Sequence, residues 1–457
     1  MAEHTVSLVK SLIKLLDDKK YQTLKDILTT MNGADIAAVF EEMDEERTPL
    51  LFRLLPKELA AETFAELSPE LQEHLIRGFS DKELREVVSE LYVDDAADLV
   101  EEMPASVVKR ILAQADPEMR REINEILRYP ENSAGSIMTT EYVSLRPSMT
   151  IAEALQRIRR TGVDKETIYT CYVTKERRLI GTVSVKDMLL CPDENTPVSE
   201  IMDENVISVN TMTDQEEVAQ MLSKYNFLAL PVVDTDGRMV GIVTFDDAID
   251  VLVEETTEDI EKMAGMLPSE KTYLRSTPWD LFKHRIPWLL LLMVSATFTG
   301  MIITSFESAL AAQVVLTAFI PMLMDTGGNS GSQASVTVIR ALSLGELELR
   351  DLPKVVWKEV QTAVLCGVAL AMLCFVKIMV FDRMILGNTD ITVMTAFVVC
   401  LTMAVTVLVA KVVGCTLPLF AKKLGFDPAV MASPFITTIV DALSLLVYFG
   451  IANALLF

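Results

Sequence analysis

The stretch Ser433-Pro-Phe-Ile-Thr-Thr-Ile-Val-Asp441-Ala-Leu-Ser-Leu-Leu-Val-Tyr448 suits a lipid bilayer except for one carboxylate, and no basic residue follows it. A charge at such depth costs roughly 2.5–3.5 kcal/mol on insertion scales, so it normally faces a bundle interior or a watery path and marks a functional site. The stretch predicts a membrane-spanning helix with a cation site at Asp441.

Upstream, apolar stretches near 286–305, 312–340, 357–381, 391–420 and 429–456 each reach the roughly 20 residues a spanning helix needs. An odd number of spans puts the termini on opposite sides. Lys283 and Arg285 precede the first span; Arg340, Arg350, Lys354 and Lys358 surround the connection from second to third; Lys422 and Lys423 follow the fourth. The positive-inside tendency therefore predicts a multi-pass protein of the cell membrane with a cytoplasmic N-terminal part and Phe457 outside. In the second span, Pro321-Met-Leu-Met-Asp325-Thr-Gly327-Gly328-Asn329-Ser330-Gly331-Ser332-Gln333 sets glycines and polar groups at membrane depth. Irregular backbone is tolerated there where it lines an aqueous cavity, which predicts a broken span beside a pore; glycines that let helices pack closely are the alternative. A hard divalent ion such as magnesium keeps several waters while one or two carboxylates hold it. One carboxylate per chain fits if a symmetric partner supplies the second, so a homodimer is expected, with Asn329, Ser433 and Thr437 orienting the hydrated ion around Asp441. Asp325-Thr-Gly327 also matches the aspartic-protease triplet, but the patterns of membrane-embedded aspartyl proteases are missing, and no enzyme is predicted.

The chain of 457 residues carries a net charge of −24, all of it in the first part: residues 1–280 hold 55 acidic and 30 basic residues, residues 281–457 hold 10 and 11. This balance argues against nucleic-acid binding and favours cations. Asp17, Asp18, Lys19 and Lys20 interrupt the apolar positions near the N-terminus, unlike a secretory signal. Six cysteines without Cys-x-x-Cys spacing indicate neither a disulfide framework nor a zinc site.

Residues 137–255 contain an internal repeat. Leu179-Ile-Gly181-Thr-Val-Ser184-Val-Lys-Asp187 aligns with Met239-Val-Gly241-Ile-Val-Thr244-Phe-Asp246-Asp247, and the lead-ins are Gly135-Ser-Ile-Met-Thr139 and Ser199-Glu-Ile-Met-Asp203. Each copy reads as strand, turn, strand and a capped helix, and the pair resembles tandem cystathionine-β-synthase (CBS) domains. That likeness implies that Ser184, Asp187, Thr244 and Asp247 contact ATP or another adenine nucleotide; N-capping of the following helix explains the same residues. Before the repeat, helix-start signals recur at Leu55-Pro-Lys-Glu58, Leu67-Ser-Pro-Glu70, Phe79-Ser-Asp-Lys-Glu83, Val93-Asp-Asp95, Met103-Pro-Ala-Ser106 and Ala115-Asp-Pro-Glu118, predicting a stack of short helices. Asp94, Asp95 and Asp98 crowd one helix face, where like charges repel unless a cation intervenes. Across 201–261, 15 acidic residues meet only Lys224 and Arg238, and Asp246, Asp247, Asp250, Glu254, Glu255, Glu258, Asp259 and Glu261 fall on successive helical turns leading toward the membrane. Divalent ions bridging them would favour one arrangement of domains.

In order of parts and in the two motifs Gly-Gly-Asn-Ser-Gly-Ser-Gln and Pro-Phe-Ile-Thr-Thr-Ile-Val-Asp, the chain resembles the MgtE family of dimeric magnesium channels. The resemblance implies a multidomain fold: an all-α superhelical N domain (1–134), an α/β tandem CBS pair (135–198 and 199–255), a connecting plug helix (256–282) and a five-helix transmembrane domain (283–457). It implies that Asp441 is the pore carboxylate. It also implies that Glu62, Asp94, Asp98, Glu216, Asp247, Asp250, Glu255, Glu258 and Asp259 sense cytoplasmic Mg2+, with Ser223 and Asn226 beside them. The family can carry an acid at the position of Asn226 and an asparagine at that of Ser433, so one sensor site and one pore contact differ here. Two alternatives stand beside a magnesium channel gated by its own ion: a broader divalent-cation transporter taking manganese, cobalt or nickel, and a non-conducting membrane-anchored sensor of nucleotide or metal.

Overall fold

The computed structural model describes the backbone of residues 2–44, 46–269, 273, 276–431 and 433–456; the side chains of 2–7, 164, 308, 309, 312 and 433 lie outside the described set. The chain divides into two compact units, Met1–Leu252 and Val253–Phe457.

The first unit opens with ten short helices: α1 (Ala2–Asp17), α2 (Tyr21–Leu28), α3 (Gly33–Glu41), α4 (Thr48–Phe52), α5 (Lys57–Ala65), α6 (Pro69–Gly78), α7 (Asp81–Val88), α8 (Val93–Glu102), α9 (Ala105–Gln114) and α10 (Pro117–Ile126). Each of the six predicted start signals opens a helix, from α5 to α10. Ser80 and Glu83 form a reciprocal capping box at α7, and Asp116 caps α10 through the amides of Glu118 and Met119 at 2.9 Å. Leucines and Phe40, Phe52, Phe64 and Phe79 bury between the helices, with Phe52 and Phe79 rings 5.3 Å apart. Burying each such ring is worth on the order of 2–3 kcal/mol, which marginal helices of this length need in order to persist.

Next come β1 (Tyr142–Leu145), α11 (Ile151–Thr161), β2 (Thr167–Lys175), β3 (Arg178–Ser184), α12 (Val185–Leu190) and α13 (Val198–Ile201), then β4 (Val209–Asn210), α14 (Gln215–Tyr225), β5 (Ala229–Val233), β6 (Met239–Thr244) and α15 (Phe245–Met263). Both sheets repeat one topology, β1-β2-β3 and β4-β5-β6, with a parallel pair followed by an antiparallel pair. The lead-in motifs cross over. Thr139 exchanges backbone hydrogen bonds with Ile242 of the second copy, and Asp203 exchanges them with Thr182 of the first. A Cβ at Gly181 would lie 2.7 Å from Met202 Sδ, and one at Gly241 would lie 2.7 Å from Met138 Sδ, so the repeated glycines are the seats of the repeated methionines.

The connecting helix is not a separate element. Helix α15 runs unbroken to Met263 and ends in a left-handed Gly265 (φ 71°), whose neighbour Met266 donates to Glu261 O at 2.9 Å. That is the glycine-terminated stop that satisfies the last carbonyls. Residues 264–269 are not helical, and 270–272 and 274–275 lie outside the described residues.

In the second unit, α16 (Pro278–Ser305), α17 (Glu307–Ala312), a 3-10 segment (Val314–Phe319), α18 (Ile320–Ser343), α19 (Leu352–Val376, continued by π turns over Lys377–Ile385), α20 (Val393–Lys423) and α21 (Ser433–Leu456) form a helical bundle. Among the described residues, four stretches are long and apolar enough to cross a membrane: Pro278–Ser305, Leu349–Ile385, Val393–Lys423 and Pro428–Leu456. The predicted second span differs from expectation. Its irregular part, 313–319, precedes the glycines, and the Gly-Gly-Asn-Ser-Gly run lies inside the continuous helix α18. Its glycines are packing positions: a Cβ on Gly414 of α20 would collide with the backbone of Gly331, and one on Gly327 would sit 2.7 Å from Ser444 Oγ of α21. Two helices whose backbones touch need no side chain between them, and only glycine supplies that. Around this crossing, Tyr448 donates its hydroxyl to Leu316 O at 2.9 Å, and Lys411, 5% exposed, pairs with Glu359 at 3.6 Å.

Candidate cation sites

Helices α18 and α21 place the membrane carboxylate. Gly328 faces α21: a Cβ there would strike Thr437 Cγ2 and come 3.7 Å from Asp441 Oδ1. The absence of a side chain leaves Asp441 an open flank toward α18, where it is only partly buried. One turn before Asn329, the exposed Asp325 accepts the Asn329 amide at 3.2 Å and lies within electrostatic reach of Asp441. The expectation of a single carboxylate per chain is thus corrected: Asp325 and Asp441 share one locality, because positions 325 and 329 lie on one face of α18. Thr437 turns its methyl toward Gly328 and donates its hydroxyl to Pro434 O at 3.2 Å. The side chain of Ser433 lies outside the described residues.

The C-terminal half of α15 forms a second acidic locality. Asp259 accepts from Ser343 Oγ at 3.2 Å, at the end of α18. Lys262 Nζ lies 2.5 Å from Glu258 and 2.6 Å from Asp427, which precedes the 3-10 turn Pro428–Met431 that leads into α21. Burial alone would lower the Lys262 ammonium, but its bonds to Asp427 and Glu258 raise it. Burial and then the Asp427 charge raise Asp259. Beyond the helix end, the Gly265 backbone approaches the Pro434 ring so closely that a Cβ would be 3.0 Å from its Cγ. Asp427 and Lys262 escaped the sequence reading because 165 positions separate them; Asp427 beside a proline in a short interhelical turn was the available signal.

In the first unit, Asp94, Asp95 and Asp98 of α8 meet Asp246, Asp247 and Asp250 of α15. Burial, then Asp247, raise Asp94, Asp95 (to about 6) and Asp98 (to about 8); Asp98 still reaches the surface, so solvent screens part of that effect. Burial raises Asp247 to about 6 against the hydrogen bond from Thr244. Glu66 joins this group, raised by burial and then by Asp250, Glu62 and Asp246. Glu62 itself sits exposed over Gly33. Glu166, raised to about 8 by burial and by Asp246 and Asp247, has an oxygen without a hydrogen-bond partner among the described residues. Glu66 and Glu166 were not singled out from sequence, since each is distant in the chain from the acidic runs. Among the described residues, no three His, Cys, Asp or Glu side chains close into a ready-made metal cage.

Other predicted positions lie apart from this cluster. Glu216 accepts from Gln220 at 3.1 Å on α14, Ser223 is exposed two turns along that helix, and Asn226 ends it in a left-handed conformation (φ 54°, ψ 41°). Asparagine adopts that geometry more readily than most residues, which accounts for it there. Glu255 belongs to the second unit. At the nucleotide turns, Ser184 caps α12 through the Asp187 amide at 3.0 Å and donates to Asp187 Oδ2 at 2.6 Å, while Thr244 bonds Asp247.

Long apolar helices enclosing acceptor groups and one partly buried carboxylate define a membrane protein that handles cations. Residues 320–451 match the family model described as divalent cation transporter, residues 31–132 match the MgtE intracellular N domain, and residues 134–192 and 198–254 each match the CBS domain. The chain is 38% identical over 454 residues to the magnesium transporter MgtE of Thermus thermophilus, covering 98% of both chains. It is 32% identical over 448 residues to that of Bacillus subtilis, covering 98% of this chain and 97% of the other. The crystal structure of the cytosolic domain of the Mg2+ channel MgtE in complex with ATP aligns with a TM-score of 0.51 at 41% identity, over 53% of this chain and 99% of that one. The chain belongs to the MgtE family.

Proposed function

We propose that this chain is a homodimeric Mg2+ channel of the cell membrane, closed by cytoplasmic Mg2+ bound at its own acidic clusters. Mg2+ transport follows from family membership and from relatives named as magnesium transporters. The observation that carries the mechanism is Asp441 beside Gly328, with Asp325, Asn329 and Thr437 close by. These oxygens hold a hydrated ion through its water shell, so that dehydration, the costly step for magnesium, is avoided. Ser433 is assigned to the same path. The second half of α15 and the turn after it act as the plug, a reading supported by the close approach of Gly265, just beyond the helix, to Pro434 at the start of α21. The sensor draws on Glu62, Asp94, Asp98, Glu216, Ser223, Asn226, Asp247 and Asp250 in the first unit and on Glu255, Glu258 and Asp259 in the second. Domains divide at 1–134, 135–255, 256–282 and 283–457, with the N-terminal part cytoplasmic and the C-terminus outside. An adenine nucleotide binds the CBS pair, a reading supported by the ATP complex of the similar cytosolic domain.

The test is Mg2+ uptake into proteoliposomes with Mg2+ absent or high on the cytoplasmic-domain side. Wild type should conduct and close at high Mg2+, Asp441→Ala should not conduct, and Asp325→Asn should conduct at reduced rate. Equal flux in wild type and Asp441→Ala would defeat the pore assignment. No flux from folded wild type under any condition would favour the non-conducting sensor.

A further inference from the structure

Beside α8, the N-terminal helices form a half-open pocket of about 170 Å3, lined by Gln72 of α6 and by Asp95, Asp98 and Glu102 of α8, with Phe64 and Leu99 at its apolar side; Asp98 and Glu102 sit at its exposed rim. Positions 95, 98 and 102 recur at helical spacing on one face, so one helix supplies three carboxylates to a single wall. Gln72 is 6% exposed. Its Nε2 donates to Phe64 O, at the end of α5, at 2.9 Å. That bond fixes the amide, because the flipped form would set its oxygen against a carbonyl oxygen. Oε1 is then the end left over, and it has no hydrogen-bond partner among the described residues.

A buried acceptor without a donor costs about 1–3 kcal/mol. Ionised carboxylates nearby only accept, so a proton on Asp98, a water or a positive centre is left to serve the oxygen, and of these the positive centre also relieves the mutual repulsion of three carboxylates on one face. What satisfies a carbonyl oxygen and carboxylates together is a positive centre. A hard divalent cation takes this mixture of amide and carboxylate oxygens, completed by water. At roughly 30 Å3 per water, the void accommodates an ion with part of its hydration shell. The three carboxylates do not form a cage by themselves; the Gln72 carbonyl contributes a neutral ligand from the opposite helix.

We propose that Gln72 Oε1, together with Asp95, Asp98 and Glu102, binds a hydrated divalent cation inside the N-terminal helical stack, cross-linking α6 to α8. The inference rests on reading the α8 carboxylates as cation ligands. It adds a site whose lining includes no residue of α15.

Mn2+ titration of the full-length protein, followed by the paramagnetic signal of free Mn2+ and by competition with Mg2+, tests it. Gln72→Leu should weaken one site per chain about tenfold, and the exposed Glu102→Gln should weaken the same site without touching the Gln72–Phe64 bond. Unchanged Mn2+ sites in Glu102→Gln, or in folded Gln72→Leu, would overturn the proposal and leave a proton shared with Asp98 as the partner of Oε1. Asp247→Asn in parallel separates the two readings. Weakening by Asp247→Asn alone sustains the wider sensor and sinks this site. Weakening by Gln72→Leu and Glu102→Gln alone sustains this site and removes Asp247 from the sensor.

Discussion

Removing one carboxylate from the cluster around Asp247 should stabilise the magnesium-free protein. Burial raises Asp247 from 3.8 to about 6, and burial followed by the Asp247 charge does the same to Asp95. A rise of about 2 pH units corresponds to about 3 kcal/mol for either group. An acid whose folded-state pKa is raised lends stability that is complete below its unfolded value and is lost as pH climbs through the folded one. Magnesium-free wild type should therefore weaken between about pH 4 and pH 7. Asp247→Asn removes its own share of that loss and part of that of Asp95, while the asparagine oxygen still accepts from Thr244. Recovery of about 3 kcal/mol corresponds to a Tm rise of up to about 6–12 °C for a unit of this size near pH 7.5 in chelator. The difference should shrink toward pH 5, and excess Mg2+ should raise the wild-type Tm more than that of the variant, because a ligand stabilises in proportion to its binding. Thermal unfolding of the full chain in nanodiscs, with and without Mg2+, measures all of this. A wild-type Tm that is flat or rising over that pH range without Mg2+, or an equal Mg2+ response in the variant, would refute the reasoning.

Lys262→Met removes the ammonium that pairs with Glu258 and Asp427. A partly exposed pair of this kind is worth about 1 kcal/mol, so the freed carboxylates should bind a divalent ion several-fold more tightly and flux should half-close at lower internal Mg2+; closure shifted to higher Mg2+ would contradict this. Gly414→Val drives a side chain into the Gly331 backbone. It should cost about 1–3 kcal/mol or more and reduce both thermal stability and Mg2+ uptake, and a variant matching wild type in both would show that α18 and α20 do not touch as described.

Much of the architecture was legible because it is local. The Pro and Ser/Thr/Asp caps opened α5 to α10 where the spacing placed them, and the Gly181/Gly241 repeat marked two copies of one topology. The second span misled, because Gly327, Gly328 and Gly331 read as breakers in isolation, whereas neighbouring α20 and α21 turn them into contact surfaces inside a regular helix. The connecting helix misled for the opposite reason: carboxylates on successive turns up to Glu261, together with the family likeness, carried the expected helix on to 282, while the stop is a backbone conformation at Gly265. Asp441 was legible as an anomaly of composition. Its companion Asp325 was legible only as a polar group in the second span and as part of a protease-like triplet, since nothing in the sequence sets position 325 beside position 441.

The two acidic clusters on α15 solve one electrostatic problem differently, and neither solution shows in a charge count. Around Asp94, Asp95, Asp98, Asp247 and Asp250, no Lys or Arg pairs with a carboxylate among the described residues, so protonation or an added cation must relieve the repulsion. Around Glu258, Asp259 and Asp427, Lys262 already stands in the cation position. A divalent ion entering the first cluster displaces only protons and water, whereas one entering the second competes with a tethered ammonium. The first cluster should therefore fill at lower Mg2+ than the second, and the resident lysine sets how far apart the two thresholds lie.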